Sequence, residues 1–455
     1  MNAPPQFFGD RMTTYSLGAV AEPPRSTPVV RTADICVVGG GAAGVAAAIS
    51  AARAGAKVLL LEREGFLGGT LTSVSLGSIC GLYAVTESEV RQIVGGFCNE
   101  VIERLHALDG VGEPTRWLET ASLPYDLFAM KVVLDQLIQD AKVEVLFHAL
   151  VVDVAMDGED VDAVLIETKQ GRLAIRAKAF VDCSGDADVV KFAGAPFEIS
   201  TGDLQFPTTM VRFGGVNTTA LGNLSRAALR ECLERAVEDG YDLPRTAGGV
   251  FAERPGLAHL NITKVAVDGK SPNPFDVSVM SRAELAGREQ VCLYLQAFRK
   301  FVPGFESAFV MDTGAVIGVR ESRRTVGSYV LTDQDVLEGA RFSDAIACCA
   351  WPMEDHAAGR ATKWIWLQPG TYFQIPLRSL TLPGFDNLMV AGRCASATHG
   401  AQASIRVTAQ CFAMGEAAGQ AAAAAVARQC SVHSVPVTDI QQALARNGAF
   451  LGDAQ

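Results

Sequence analysis

The clearest chemical motif in the chain is a run of glycines that follows an apolar segment near the amino terminus. Gly39, Gly41 and Gly44 have the spacing GxGxxG, and Ala43 lies beside the last of them as a further predicted contact. Gly39 allows a tight turn, Gly41 lets backbone N–H groups approach a pyrophosphate, and Gly44 lets a helix pack closely on a strand. The amino terminus of that helix would then face the phosphate charge with unpaired N–H groups. The motif therefore predicts a dinucleotide site.

The residues around the glycines complete the unit that this motif needs. Residues 33–64 contain an apolar strand pattern, the glycine cluster, an alanine-rich helix pattern ended by Gly55, and the apolar run VLLLE. Glu62, at the end of that run, can accept hydrogen bonds from both ribose hydroxyls, and its charge would repel a 2′-phosphate. A glycine turn alone could belong to an unrelated α/β fold. Strand, helix and acid in register favour a parallel βαβ unit that binds a dinucleotide.

Two further segments favour FAD over NAD as the cofactor. Arg63, Gly69 and Thr70 follow Glu62 closely and are predicted to contact the cofactor. Near the other end of the chain, the apolar run NLMVAG ends at Gly392 and is followed by Arg393. A glycine backbone and a cation there could return to the same pyrophosphate, and Arg393 would neutralise phosphate charge. Since a single-motif NAD domain needs no such return, FAD is the predicted cofactor.

His399 and Cys80 are candidates for direct chemistry beside the flavin. His399 stands among small residues in SATHGAQAS, and its near-neutral pKa suits proton transfer. The alternative is a histidine held by backbone carbonyls beneath the flavin. Cys80, in GSICGLY, follows the glycine-rich loop and could anchor the flavin covalently, act as a redox partner, or be a small buried hydrophobe.

Arg320 and Arg324 form a second candidate group in GVRESRR. A spacing of four places both on one face in a helix and in a strand, so the pair could grip a carboxylate bidentately. The alternative is an internal salt bridge that uses Glu321. Neither reading is decided by the sequence.

The pattern of apolar and turn residues divides the chain into a nucleotide-binding domain and an insert. At 455 residues the chain is too long for one compact core. The fold class is α/β, a Rossmann-like FAD-binding domain with a parallel sheet and β-meander, plus an inserted α+β substrate or cap domain. The predicted segments are a tail (1–32), FAD-binding parts (33–75, 140–200 and 378–428), a substrate-side segment (76–139), a substrate or cap domain (201–377) and a C-terminal segment (429–455).

Composition argues against several classes of function. A net charge of −11 without long like-charge blocks makes nucleic acid an improbable partner. Eleven scattered cysteines without a CxxC pair, and histidines without ligand-like spacing, predict neither a disulfide framework nor a metal site, and a reducing cytoplasm is the expected location. The small-residue stretch from Cys411 to Ala427 carries Glu416 and Gln420, which predicts a buried helix and no membrane span.

Seven segments in this order resemble the FAD-dependent oxidoreductase family, with a glutathione-reductase-type fold, on the side nearest the fumarate reductases and aspartate oxidases. The resemblance covers residues 33–424 and includes a predicted cofactor contact at Gly185. It rests on GGGAAG with LEREGFLGGTLT, IVGGFCNEV, FVDCSGDADV, FPTTMVRFGGVN, GVRESRRTVGSYVLT, YFQIPLRSL, and NLMVAGRCASATHGAQASIRVTAQCFAMGEAAGQAAA. The resemblance implies an FAD sheet interrupted by a substrate-facing domain.

The resemblance also implies roles for the segment around His399. His399 matches a histidine that helps to hold a substrate carboxylate, and Ala403, Ser404 and Ile405 would place backbone N–H groups near the flavin pyrimidine oxygen. The glycine pair and asparagines of fumarate reductases are absent there, which argues against fumarate or succinate as the substrate.

The predicted function is hydride transfer between a small organic substrate and flavin N5, with an unidentified electron acceptor and a possible homo-oligomeric state. One alternative is a flavin monooxygenase, although aromatic hydroxylases usually have Gly-Asp where this chain has Gly392-Arg393. The other alternative is a flavoprotein electron-transfer subunit, and no iron–sulfur cysteine run is present to receive electrons.

Overall fold

The structure is a computed structural model that describes residue 18 and residues 20–200, 204–356 and 362–453. The predicted tail at residues 1–17 and 19, and the first three residues of the predicted insert, lie outside the described residues. In chain order the strands are β1 (Val29–Val38), β2 (Val58–Leu61), β3 (Ser78–Cys80), β4 (Tyr83–Val85), β5 (Val90–Gln92), β6 (Thr115–Trp117), β7 (Thr120–Pro124), β8 (Glu144–Leu146), β9 (Leu150–Asp157), β10 (Asp160–Thr168), β11 (Gly171–Asp182), β12 (Phe197–Glu198), β13 (Val211–Gly214), β14 (Gly249–Arg254), β15 (Leu257–Asn261), β16 (Phe309–Thr313), β17 (Arg324–Thr325), β18 (Ala345–Cys349), β19 (Met353–Asp355), β20 (Lys363–Ile365), β21 (Phe373–Pro376) and β22 (Leu388–Val390). The helices are α1 (Ala42–Arg53), α2 (Phe97–Ala107), α3 (Leu127–Asp140), α4 (Asp188–Phe192), α5 (Thr218–Gly222), α6 (Arg226–Glu238), α7 (Val277–Phe301), α8 (Asp333–Glu338), α9 (His399–Ile405), α10 (Thr408–Arg428) and α11 (Val437–Arg446), with 3₁₀ turns at Gly69–Leu71, Leu377–Leu380 and Val432–Ser434.

A parallel sheet with the order β8–β2–β1–β11–β22 forms the nucleotide-binding fold. Val38 at the end of β1 is in register with Leu61 of β2 and Asp182 of β11, and Asp182 is in register with Val390 of β22. The carboxyl ends of strands from four distant parts of the chain therefore meet at one edge of the sheet. This confirms the predicted βαβ unit and the α/β fold class.

The long strand β11 joins the parallel sheet to the predicted meander. Its first half pairs antiparallel with β10, which pairs antiparallel with β9, and its second half lies between β1 and β22. Of the short β-type runs after Val143, β9, β10 and the first half of β11 form the antiparallel ribbon that their patterning predicted, whereas β8 pairs parallel with β2.

Helices α1 and α10 pack together at unusually close range behind the sheet. A Cβ added at Gly415 would lie 2.0 Å from the carbonyl oxygen of Ala43, and one at Gly419 would lie 2.3 Å from that of Ala47. The small residues of α10 thus serve close helix packing, and its buried face confirms the predicted buried helix. Among the helices of the described chain, none is long and apolar enough to cross a membrane.

The insert contains an antiparallel sheet with the order β14–β15–β13–β16, and α6 and α7 pack on its apolar side. The predicted helices are present, but the sequence did not reveal this sheet. Its strands are four to six residues long, and they carry paired charges such as Arg212 with Asp312 and Glu253, which break the apolar alternation. The apolar core around Trp351 and Phe373 is continuous with that of the nucleotide-binding fold, so this part of the predicted insert packs with that fold.

Candidate functional site

The three motif glycines differ in the space that surrounds them. Gly39 has φ +96°, and a Cβ there would lie 2.5 Å from the carbonyl oxygen of Cys183. A Cβ at Gly44 would lie 1.7 Å from the carbonyl oxygen of Gly39, so the start of α1 packs directly on the turn. At Gly41, by contrast, the nearest atom to an added Cβ is the Cα of Gly69 at 3.9 Å. Packing within the protein therefore requires glycine at positions 39 and 44, whereas Gly41 borders open space.

That open space is a cavity of about 420 Å³ at the carboxyl edge of the parallel sheet. Both distant halves of the predicted cofactor site border it. The predicted residues in its wall are Gly39, Gly41, Ala43, Glu62, Arg63, Gly69, Thr70, Cys80, Gly185, Gly392, Arg393 and Arg320. The structure therefore brings the amino-terminal glycine motif and the late strand to one cavity.

Glu62 is buried at the end of β2 and is held by backbone donors. The N–H of Gly40 donates to Oε2 at 2.7 Å, and the N–H of Glu64 donates to Oε1 at 2.8 Å. These two bonds fix the carboxylate at the cavity wall. The side chain thus borders the cavity, and its contact with ribose remains a prediction.

Arg393 borders the cavity, but its guanidinium also has acceptors in the protein. Nε donates to the carbonyl of Gly185 at 2.9 Å, Nη2 donates to Asp186 Oδ1 at 2.8 Å, and Nη1 donates to the carbonyl of Val319. Arg393 therefore joins three loops around the cavity. Phosphate neutralisation by this residue remains a prediction, because Asp186 already offsets part of its charge.

Cys80 lies in the cavity wall, with its N–H donating to Thr408 Oγ1 at 3.1 Å. Burial raises the pKa of its thiol to about 12. The side chain is therefore a protonated thiol near neutral pH, whereas nucleophilic attack and disulfide exchange require the thiolate. This environment favours the reading of Cys80 as a small cavity-lining side chain.

His399 and Arg324 are brought together by Glu321, outside the cavity wall. His399 Nδ1 lies 2.9 Å from Glu321 Oε1, and Arg324 Nη1 donates to the same oxygen at 2.6 Å. Arg320 instead turns into the cavity, where Nε donates to the carbonyl of Phe206. The prediction that the two arginines share one face is wrong, because residues 318–323 form neither a helix nor a strand. For Arg324, the internal salt bridge is the arrangement that the structure shows.

Ser404 and Ile405 lie inside α9 and are buried, and neither borders the cavity. Ser404 Oγ donates to the carbonyl of Trp351. The expected position of these two residues beside the cofactor is therefore corrected. The residues of this segment that border the cavity are Arg406, Val407 and Thr408, at the junction between the end of α9 and the start of α10.

We expect His399→Gln to reduce thermal stability more at about pH 5.5 than at about pH 9. The hydrogen bond to Glu321 raises the pKa of His399 above its ordinary value. Protonated His399 therefore stabilises the folded state, and this contribution is fully present below the pKa of the unfolded histidine, about 6.5. The contribution is lost as the pH rises through the pKa of the folded state. Melting temperatures across this range test the prediction. Equal losses at both ends, together with reduced turnover, would instead favour a role for His399 toward the substrate.

Apart from Arg320, sequence reasoning missed a group of charged residues that borders the cavity, which we name the arginine compartment: Arg226, Arg245, Arg320, Arg406 and Glu354. They come from the start of α6, the loop after it, the segment before β17, the α9–α10 break and β19. Arg406 lies 4.0 Å from Glu354, and within the described chain the other three arginines form no ion pair. The compartment thus has an excess of positive charge.

Burial makes this charge excess costly. The pKa of Arg320 falls to about 9, first because the side chain is desolvated and then because Arg406 and Arg245 are close. Burial by itself would raise the pKa of Glu354, but His356, Arg406 and Arg320 together hold it well below its ordinary value. Arg406 Nε has no hydrogen-bond partner among the described residues. A missed signal was the spacing of two between Glu354 in β19 and His356 directly after it, which places two polar side chains on one side of an extended segment.

His356 borders the same compartment and is neutral near physiological pH. Burial lowers its pKa to about 3, and Arg320 adds to this effect. Its Nε2 lies 2.8 Å from Glu354 Oε1, and its Nδ1 lies 3.1 Å from Thr362 Oγ1. The imidazole therefore contacts Glu354 without adding a further positive charge.

The sheet, the glycine turn and the cavity define a dinucleotide-binding α/β fold of the oxidoreductase type. Residues 34–444 match the family model described as FAD dependent oxidoreductase, and the chain therefore belongs to that family. FAD is its cofactor, and the open side of Gly41 and the carboxylate of Glu62 fit that group. Placement on the fumarate reductase and aspartate oxidase side remains a prediction.

Comparison with curated proteins returned no match. Solved structures with a similar fold include a geranylgeranyl bacteriochlorophyll reductase-like protein from Thermoplasma acidophilum, with 15% identity, 92% of this chain and 82% of that chain covered, and a TM-score of 0.45. Another is p-nitrophenol 4-monooxygenase from Pseudomonas putida, with 13% identity, coverage of 94% and 91%, and a TM-score of 0.43. A third is anhydrotetracycline hydroxylase from Streptomyces rimosus, with 13% identity, coverage of 91% and 66%, and a TM-score of 0.43.

Proposed function

We propose that this FAD-dependent oxidoreductase catalyses hydride transfer between a small organic molecule and its flavin. The observation that carries the proposal is the shared cavity, which both the glycine turn and the arginine compartment border. The glycine turn suits the phosphates of the cofactor, and the arginine compartment has polar groups that can orient a second molecule. A cavity with both properties favours an enzyme over a protein that only binds a nucleotide.

The side chains of the chain would bind, orient and exclude water. The turn at Gly41 and the amino terminus of α1 would hold the pyrophosphate, and Glu62 would accept from the ribose hydroxyls. FAD supplies two-electron chemistry at flavin N5 when it is bound. Arg320 and Arg406, which are largely desolvated, would orient the substrate, because charged donors act most strongly away from water.

The test is anaerobic reduction of the purified holoprotein by candidate small acids, amines and alcohols. We expect at least one compound to bleach the flavin absorbance, since hydride transfer to the ring removes its colour. A chain that neither carries nor takes up FAD would contradict the proposal at its base. A yellow chain that no small molecule reduces would favour an electron-transfer subunit that receives electrons from a partner protein.

A flavin monooxygenase is the second candidate, since a cavity that would hold both the cofactor and a second molecule suits that chemistry as well. The two reactions differ in what reduces the flavin. If only a nicotinamide nucleotide bleaches it, and the substrate gains oxygen only in air, the monooxygenase is supported. Bleaching by the substrate itself under anaerobic conditions supports hydride transfer.

A further inference from the structure

All four tryptophans of the chain lie in one cluster. The ring centroids of Trp117 and Trp351 are 5.5 Å apart, and those of Trp117 and Trp364 are 5.6 Å apart. Trp366 stacks on Trp364, with ring centroids 5.1 Å apart, and does not itself border the cavity. We name the three residues that border the cavity, Trp117, Trp351 and Trp364, the tryptophan wall. They come from three separate segments of the chain.

The tryptophan wall and the arginine compartment are joined by direct contacts. Trp351 Nε1 donates to Glu354 Oε2 at 3.3 Å, and Arg406 Nη2 lies 4.0 Å from that same oxygen. The guanidinium carbon of Arg226 lies 5.8 Å from the centre of the Trp117 ring. Flat aromatic surface and desolvated positive charge are therefore adjacent within one cavity.

We propose that the substrate of this enzyme is an aromatic carboxylate, with its ring against the tryptophan wall and its carboxylate among the arginines. This inference rests on the proposed function and names the substrate class of the same site. An anion would offset the excess charge of the arginine compartment and could pair with the unpartnered Nε of Arg406. A planar ring would make edge-to-face or offset-stacked contacts with the indoles.

The two halves of the proposal can be separated with matched ligands. Benzoate has both ring and charge, benzamide keeps the ring without the charge, and cyclohexanecarboxylate keeps the charge without the aromatic face. Binding to the holoprotein is followed by tryptophan emission, because every tryptophan lies in or beside the cavity wall, and by the flavin absorbance. We expect benzoate to bind roughly tenfold or more tightly than either analogue.

Paired variants locate the site. We expect Arg245→Met and Trp364→Leu each to weaken benzoate binding by roughly tenfold, since one loses a charged donor and the other an aromatic face. Arg288→Met, on the exposed side of α7, and Trp366→Leu, behind the wall, are the controls and should change benzoate binding little. Arg245→Lys keeps the charge and should retain part of the affinity.

The outcomes distinguish this inference from the proposed function. A yellow holoprotein that binds benzamide or cyclohexanecarboxylate as tightly as benzoate overturns the corresponding half of the inference. A yellow holoprotein that binds none of the three, or binds only a nicotinamide nucleotide at this wall, overturns it entirely while FAD chemistry stands. A protein without FAD contradicts the proposed function instead.

Discussion

Replacing Gly41 with valine is expected to abolish FAD retention while leaving the fold intact. The nearest atom to an added Cβ at this position is 3.9 Å away, and the backbone at φ −70° and ψ −174° is open to β-branched residues. The valine would therefore fit the protein but occupy the space that the pyrophosphate needs. We expect FAD affinity to fall at least about a hundredfold, or about 2.7 kcal/mol, as measured by flavin content and titration.

Two further glycine variants serve as controls for Gly41→Val. Gly222→Val is made at an open surface position in α5 and should retain FAD. Gly44→Ala should instead lower the melting temperature of the apoprotein, because its Cβ would lie 1.7 Å from the carbonyl oxygen of Gly39. Normal flavin content in a folded Gly41→Val protein would refute the placement of the pyrophosphate at this turn.

Glu354→Ala is expected to destabilise the protein by about 3 kcal/mol or more, because it leaves buried arginine charge without its carboxylate. Glu354 lies 4.0 Å from Arg406 and 2.8 Å from His356 Nε2, and only 12% of its side-chain surface is exposed. Added formate or acetate should raise the melting temperature of the variant more than that of the parent protein, since a small anion can enter the vacated position. Thermal and urea unfolding measure both effects.

The matched control for Glu354→Ala is Glu234→Ala, which breaks an exposed pair with Arg230 and should cost less than about 1 kcal/mol. A loss as small as that of the control would show that Glu354 does not balance the arginines. The pKa of Glu354 is lowered, so its contribution is present above the unfolded pKa and is lost as the pH falls. The parent protein should therefore lose stability in acid more steeply than Glu354→Ala.

The nucleotide-binding half of the site was largely predictable, because its residues are set by local spacing. Gly39, Gly41 and Glu62 belong to one continuous βαβ unit, and each position in that unit has a fixed geometric task. The return of Gly392 was predictable for a related reason. A parallel strand that is followed by small residues ends at the same edge of the sheet as the other parallel strands.

The other half of the site was not predictable from patterning. Arg320 and Arg324 have a spacing that satisfies both regular periods, but their segment is irregular, and only one of them faces the cavity. Ser404 and Ile405 are buried within α9, so the cavity meets the chain at Arg406. Side chains on irregular segments have no periodicity from which their direction can be read.

The sequence by itself therefore determined the family, the cofactor and the position of the glycine turn, because each depends on contacts between residues close in the chain or on the order of strands. Only the tertiary structure decided which other side chains border the cavity. Arg226, Arg245 and Trp117 have no motif of their own, and they become a site because three separate segments meet at one cavity wall. Contacts between distant segments depend on long-range packing, which the local spacing of residues does not encode.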